Sequence, residues 1–411
     1  MGHGHSHIPS RGKVEVGTRA RNGLIAFLVV VGVVAVAGLI WLWPSRGEMA
    51  QAIVPVYDAP GVTYEHGTIA SVEPGCEMMQ DSGSEAPCQT ANVEIATGED
   101  AGEVVAVELL GPQAQAGLRA GDSIEVARIA TVNGPIYSYS GTDRLPVLIT
   151  LAVLFVICVV AVARWKGLFA LIGLGVAAYV LMGFMLPALI VGRPGMPVAL
   201  AGSTVIMFVV LYVAHGISVR TSTALAGTLL GLAVTTGLGM VAVRAARLSG
   251  FADEAEYDLS QLVGGLNFQE LLMVGIIIGG LGVLNDVTIT QSSAVWELRG
   301  AAPEWTRRKV FAAGMRIGRD HIASTVYTVA FAYLGAALPL VLLVAMSDRT
   351  LLDSLTSGEI AEEVVRTLVG SIGLVLAIPL TTAIAATLVP PPAAPAPAAA
   401  PPAPAETRAE A

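Results

Sequence analysis

The stretch Gly275–Glu297, GIIIGGLGVLNDVTITQSSAVWE, decides how the rest of the chain is read. It begins as a membrane helix would: Ile276, Ile277 and Ile278 are apolar, and glycines follow at 279, 280 and 282. Asn285 and Asp286 come next, still inside a span that starts near Gln269. Asp286, Thr290, Ser293 and Glu297 are spaced four, three and four apart, which puts them in one stripe on a helix. A carboxylate in hydrocarbon costs about 3 kcal/mol on insertion scales. A chain that keeps one beside glycines able to break a helix is expected to hold a buried polar site or a water-filled cavity.

Outward from this stretch, the 411-residue chain is 54% hydrophobic and 13% charged, half the charge density of a soluble domain. That is the balance of a polytopic membrane protein. The net charge of −9 comes with no basic stripe and no interleaved aromatics, which argues against a nucleic-acid partner. Eight apolar runs are long enough to cross a bilayer: Gly23–Trp43, Leu145–Ala163, Leu168–Val191, Val198–Ala214, Ala224–Val243, Leu271–Gln291, Ile322–Ala345 and Val364–Leu388. The first follows Arg11, Lys13, Arg19 and Arg21 and ends on Trp41, Trp43 and Pro44 with no small-residue cleavage pattern, so it reads as an uncleaved helix rather than a signal peptide.

Between Ser45 and Arg144 the pattern changes to period two. Thr63–Val72, Thr90–Thr97, Glu103–Leu110 and Asp122–Val132 read as strands. About five short strands in this space predict a small all-β domain of OB-like type. Cys76 and Cys88 lie within it. They either pair, which adds roughly 3 kcal/mol in an oxidising space, or stay free thiols; Cys158 falls in an apolar run.

Charge sets the orientation. With the N-terminus inside and eight crossings, Arg164, Lys166, Arg220, Arg299 and the run Arg307-Arg308-Lys309 share the inside with the N-terminal basic residues. The acidic clusters 253–256 and 359–363, and the β-domain with its cysteines, fall outside. The expected organisation is a cytoplasmic tail (1–22), a first helix (23–43), an extracytoplasmic β-domain (45–144), a seven-helix core (145–389) and a disordered Pro/Ala-rich cytoplasmic tail (390–411).

Three long segments carry a family resemblance: Gly280–Arg299 (GLGVLNDVTITQSSAVWELR), Phe311–Thr328 (FAAGMRIGRDHIASTVYT) and Met207–Thr228 (MFVVLYVAHGISVRTSTALAGT). They resemble the signature segments of the YibE/F family of bacterial membrane proteins. The order of elements, one helix, a β-domain, then a multi-helix bundle, is also similar to that family. The resemblance implies an integral membrane protein and supplies no catalytic residues. Where the family more often has two adjacent aspartates, this chain has Asn285-Asp286, so a mechanism needing two carboxylates there is not implied.

The polar constellations follow. Asn285, Asp286, Thr288, Thr290, Gln291 and Glu297 are the candidates for an ion or solute pathway, on a discontinuous helix whose freed oxygens bind a cation or proton. The competing reading is a structural carboxylate paired with arginine near the cytoplasmic interface. Arg316, Arg319, Asp320 and His321 enter the seventh run from the inside and are candidates for a gate or an ion pair with Asp286 or Glu297; a positive-inside anchor is the plainer reading. His215 and Glu270 mark helix ends. His3, His5 and His7 form a weak metal-binding candidate on a tail, with no firm metal site and no cofactor expected.

Enzymatic motifs are lacking: no H-E-x-x-H, no P-loop, no G-x-S-x-G. Gly280-Leu281-Gly282 is only a displaced likeness of the intramembrane aspartyl protease motif. The expectation is a non-enzymatic, multi-pass protein of a bacterial plasma membrane with about eight transmembrane helices. It acts either as a transporter or channel for a small ion or solute, or as a scaffold or envelope sensor that binds a protein partner through its β-domain. The oligomeric state is open.

Overall fold

The computed structural model describes residues 17–52, 61–76, 87–132, 134–252 and 254–389. The histidines at 3, 5 and 7 and the Pro/Ala-rich tail lie outside the described residues. The chain forms two compact units. One is Val54–Arg164; the other joins Met1–Ile53 to Trp165–Ala411.

The first unit is built on five strands: β1 Val62–Pro74, β2 Cys88–Ile95, β3 Val104–Leu110, β4 Ser123–Thr131 and β5 Gly134–Thr142. They form one antiparallel sheet in the order β3-β2-β1-β4-β5. The sheet curls until its edge strands β3 and β5 come close to each other. Register shifts between Ile69 and Ser71 in β1 and between Glu125 and Val126 in β4 supply the bends that such curling needs. Alternation then puts Ile69, Val93, Ile95, Val107, Leu109, Ile124 and Val126 into a common core, with Tyr137 and Tyr139 packed against it. Gly67 lies where a Cβ would press against Val93 and the carbonyl of Glu94; the strand interior has room there only for glycine. Cys76 and Cys88 form a disulfide, with their Cα atoms 5.8 Å apart. The structure thus adopts the bridged alternative.

The second unit is helical. Helix α1 (Thr18–Leu42) stops where Trp43, extended, precedes Pro44. The short α2 (Arg46–Ala52) opens with a reciprocal cap: the Glu48 carboxylate accepts from the Ser45 N–H at 2.8 Å and the Ser45 hydroxyl from the Glu48 N–H at 3.3 Å. A long helical stretch begins at Leu145: α3 (Leu145–Val180) continues through a π turn (Leu181–Met185) into α4 (Leu186–Ile190). Then come α5 (Gly195–His215), α6 (Val219–Ala245), α7 (Glu254–Leu262), α8 (Phe268–Ala301), α9 (Arg307–Ala336), α10 (Leu338–Met346), α11 (Leu351–Leu355) and α12 (Gly358–Leu388). Ser218, Asn267 and Thr306 cap α6, α8 and α9 with side-chain oxygens.

Among the described residues six helices are long and apolar enough to cross a membrane, and α9 with α10, bent by 69° at their junction, makes up to a seventh span. The runs 145–163 and 168–191 meet without a loop in the 46-residue element Leu145–Ile190, as two helices joined at a kink. Its only interruption is Arg164, held at φ 55° and ψ −135°, a conformation that costs a non-glycine residue roughly 1–3 kcal/mol. The boundary between the two units falls at this residue.

In the helical unit α6, α8 and α12 pack against one another pairwise, with α5, α9 and α1 around them. Small residues let these backbones approach. A Cβ on Gly227 would run into Thr381, and one on Gly373 into Thr235. Gly227, Gly231 and Gly239 of α6 therefore pack against helices of the same chain.

Candidate functional site

Helix α8 carries the polar residues on two different faces. One face is buried. The Thr288 hydroxyl meets that of Thr228 at 2.6 Å, joining α8 to α6. Gln291 Nε2 donates to the Gly314 carbonyl at 2.8 Å and to Thr382 Oγ1 at 2.7 Å, joining α8 to α9 and α12. Ser292 Oγ donates to the Arg220 carbonyl at 2.8 Å. Several of the threonines also return a hydrogen bond to their own helix: Thr228 to Ala224, Thr235 to Gly231 and Thr382 to Ile378. These side chains are buried and mutually satisfied, which makes the seam a set of polar ties between helices.

The other face points away from the seam. Gly279, Gly282, Asp286, Thr290 and Glu297 are exposed, and Ser293 is half-buried. Asp286 sits about 27 Å from the start of a helix of about 51 Å, at 1.5 Å per residue. Its charge is therefore placed midway along the helix. Thr290 donates to the Asp286 carbonyl at 2.7 Å, leaving the carboxylate itself open. Asn285, beside it, is half-buried, and its Oδ1 is buried with no hydrogen-bond partner. The helix is continuous through Gly279–Gly282, so the expected break is absent. Gly280 lies against Thr235 and Gly279 beneath the Tyr333 hydroxyl: these glycines provide close packing and leave the helical backbone bonds intact.

Helix α9 packs on α8 through Gly314 and Gly318. A Cβ on Gly318 would fall 2.5 Å from Ile378 and 3.2 Å from the Gln291 amide. Arg316, Arg319 and Asp320 are exposed, and His321 is half-buried with its Nε2 enclosed and unpartnered. Among the described residues no ion pair joins Asp286 or Glu297 to Arg316 or Arg319. The structure thus brings Thr288 and Gln291 together in the seam and leaves Asp286, Thr290 and Glu297 on an outward stripe. His215 ends α5 as an exposed residue. The Glu270 carboxylate, in the first turn of α8, accepts the Gly195 N–H and so ties α8 to the start of α5.

Two polar groupings were not legible beforehand. Glu362 is buried and accepts the Gly250 N–H at 2.8 Å, fastening α12 to the chain before α8. In the β-domain, Asp100 accepts from the Tyr137 hydroxyl and from Arg128 Nε, and Arg128 also meets Glu99 at 3.1 Å. The Tyr137 hydrogen bond, then that of Arg128, holds the Asp100 carboxyl below its ordinary value. Only the folded sheet brings residues 28 and 37 positions apart together. Among the described residues no cluster of three or more His, Cys, Asp or Glu side chains is spaced to hold a metal ion.

The model of the YibE/F-like proteins matches residues 151–391, more than half of the chain and the whole of α5 to α12. The chain belongs to the YibE/F-like family. The matched region contains both faces of α8 and its contacts with α6, α9 and α12, so the helical bundle is the part this YibE/F-like protein shares with the family. Among curated proteins and solved structures there is no match.

Proposed function

We propose that this YibE/F-like protein is a channel or secondary transporter for a small ion or solute, and that the path runs along the exposed face of α8 past Asp286. One observation supports this reading above the others: a carboxylate without an ion-pair partner among the described residues lies midway along an apolar helix and faces away from the packed seam. Facing hydrocarbon, such a group costs about 3 kcal/mol on insertion scales. In the membrane it therefore needs water, a cation or a protonated state. The flanking Gly282 and Thr290 keep the surface beside it small and polar.

The topology that goes with this reading has both termini in the cytoplasm of a bacterial cell, the β-domain outside the plasma membrane, and eight crossings. The break at Arg164 supports two crossings from the element Leu145–Ile190: the segments 145–163 and 165–190 are about 28 and 39 Å long, the first close to and the second more than a bilayer core of about 30 Å. The disulfide favours an oxidising space for the β-domain. The strand order and the approach of β3 to β5 favour an OB-like barrel. No enzymatic role is proposed.

A second reading has one specific observation in its favour. The buried face of α8 is a set of mutual hydrogen bonds between helices, as suits a rigid anchor that holds a partner-binding β-domain. The two readings part in liposomes. Purified full-length protein is reconstituted and uptake of labelled monovalent and divalent cations and protons is followed. Flux above that of empty liposomes, lost in Asp286→Asn, is the expected result. The absence of any flux across this panel, with the protein correctly inserted, leaves the anchor.

A further inference from the structure

The helical unit carries a groove of about 700 Å³ where α1 stands beside the α5–α6 turn. Its lining changes character from one end to the other. At one end are Arg21 of α1, the hydroxyl pair Tyr212 and Ser222, and Ser218, the cap of α6, flanked by the apolar Ile217 and Val219. From there the wall is apolar: Leu24, Ile25, Leu28, Val29 and Val33 follow at helical spacing along α1, and Phe208 faces them from α5. Gly32 brings the α1 backbone against the Phe208 ring, where an added Cβ would stand 3.3 Å away. The arginine-to-Val33 distance along α1 is about 18 Å at 1.5 Å per residue, close to the depth of one leaflet of a core of about 30 Å.

We propose that this groove is a binding site for a phospholipid with an anionic headgroup. The phosphate and its anionic substituent lie at Arg21, within reach of the Tyr212, Ser218 and Ser222 hydroxyls, and one acyl chain runs along α1 over Leu24, Leu28 and Phe208. Charge complementarity selects this occupant. Arg21 is the charged residue of the lining and is cationic, and Arg220 and Lys166 lie within electrostatic reach of His215 at the same turn. The α6 N-terminus, capped by Ser218, adds the positive end of a helix dipole. An uncharged apolar occupant would leave the polar end unused, and a cationic amphiphile would meet like charge. The proposal does not depend on Asp286 or on transport.

The test is native mass spectrometry of the full-length protein, titrated with phosphatidylglycerol and phosphatidylcholine of identical chains. Wild type is expected to take up the first phosphatidylglycerol in preference to phosphatidylcholine. In Arg21→Gln, whose side chain is exposed and off the packed core, that preference should fall about fivefold, the factor one near-surface arginine is worth. Val29→Trp fills the apolar end from a position that is 57% exposed, and should reduce the first adduct of both lipids. Equal uptake of the two lipids by wild type overturns the proposal. So does a headgroup preference that survives Arg21→Gln. A preference sensitive to Arg21 but an adduct indifferent to Val29→Trp also overturns it, because the lipid is then held by surface charge alone.

Discussion

Asp286 and Asp100 are both carboxylates, and their surroundings give them opposite roles. Asp286 has no ion-pair partner among the described residues, so Asp286→Asn removes charge while keeping shape; we expect flux in liposomes to fall at least about tenfold, the factor that 1.4 kcal/mol represents, with insertion and thermal stability unchanged. Asp100 is enclosed by donors, and its carboxyl titrates below the ordinary aspartate range because Tyr137 and Arg128 bind its charged form. A depressed folded value means that the stabilisation is fully present above about pH 4, the unfolded aspartate value, and is lost as the pH falls through the lower folded value. Hydrogen exchange of β4 and β5, corrected for intrinsic rates, should therefore show greater opening on acidification below pH 4 in wild type, and that step should vanish in Asp100→Asn. At this scale the sequence spoke for Asp286 through its spacing to Thr290 and Glu297, but not for the direction of that stripe. Periodicity says which residues share a face; Thr288, Gln291 and Ser292 make the buried face of α8 just as polar, so composition did not tell inside from outside. Asp100 was invisible because its partners come from strands far along the chain.

Among the elements, α8 shows what glycine does when packing rather than bending is the demand. Gly279 and Gly280 accommodate Tyr333 and Thr235 while the helix stays whole. The sequence marked them as possible breakpoints because local propensity is weak there; neighbours on α6 and α9 supply what propensity lacks. The same logic makes Gly318 a critical contact between α9, α8 and α12. Gly318→Val should cost about 1–3 kcal/mol through overpacking, read as a lowered unfolding midpoint in detergent, whereas Gly282→Ala, with open space at its Cβ position, should change it little. Four of the five strands were legible from alternation. β5 was not, because its Gly-Pro start and its serines dilute the pattern; its tyrosines are the signal that was available. The single stretch Leu145–Ile190 read as two runs for a good local reason, since Arg164-Trp165-Lys166 interrupts the apolar pattern at the residue where the backbone leaves helical geometry.

For the whole molecule, sidedness is the property from which the rest follows. A cysteine placed at Ala101, exposed in the turn before β3, should react in intact cells with a membrane-impermeant maleimide, in a chain whose other cysteines are serine or disulfide-bonded. A cysteine at Ala411 should react only after permeabilisation; labelling of Ala411 alone without permeabilisation would reverse the proposed orientation, and labelling of both would overturn the odd number of crossings between them. The bridge itself is expected to contribute about 3 kcal/mol to the β-domain, so Cys76→Ser should lower its urea midpoint. The bridge has another effect. Cys76 lies just beyond β1 and Cys88 opens β2, so a peptide bond cut anywhere between them leaves both pieces covalently attached. Such a nicked chain would migrate as an intact band on a gel run without reductant and separate into two fragments once thiol is added.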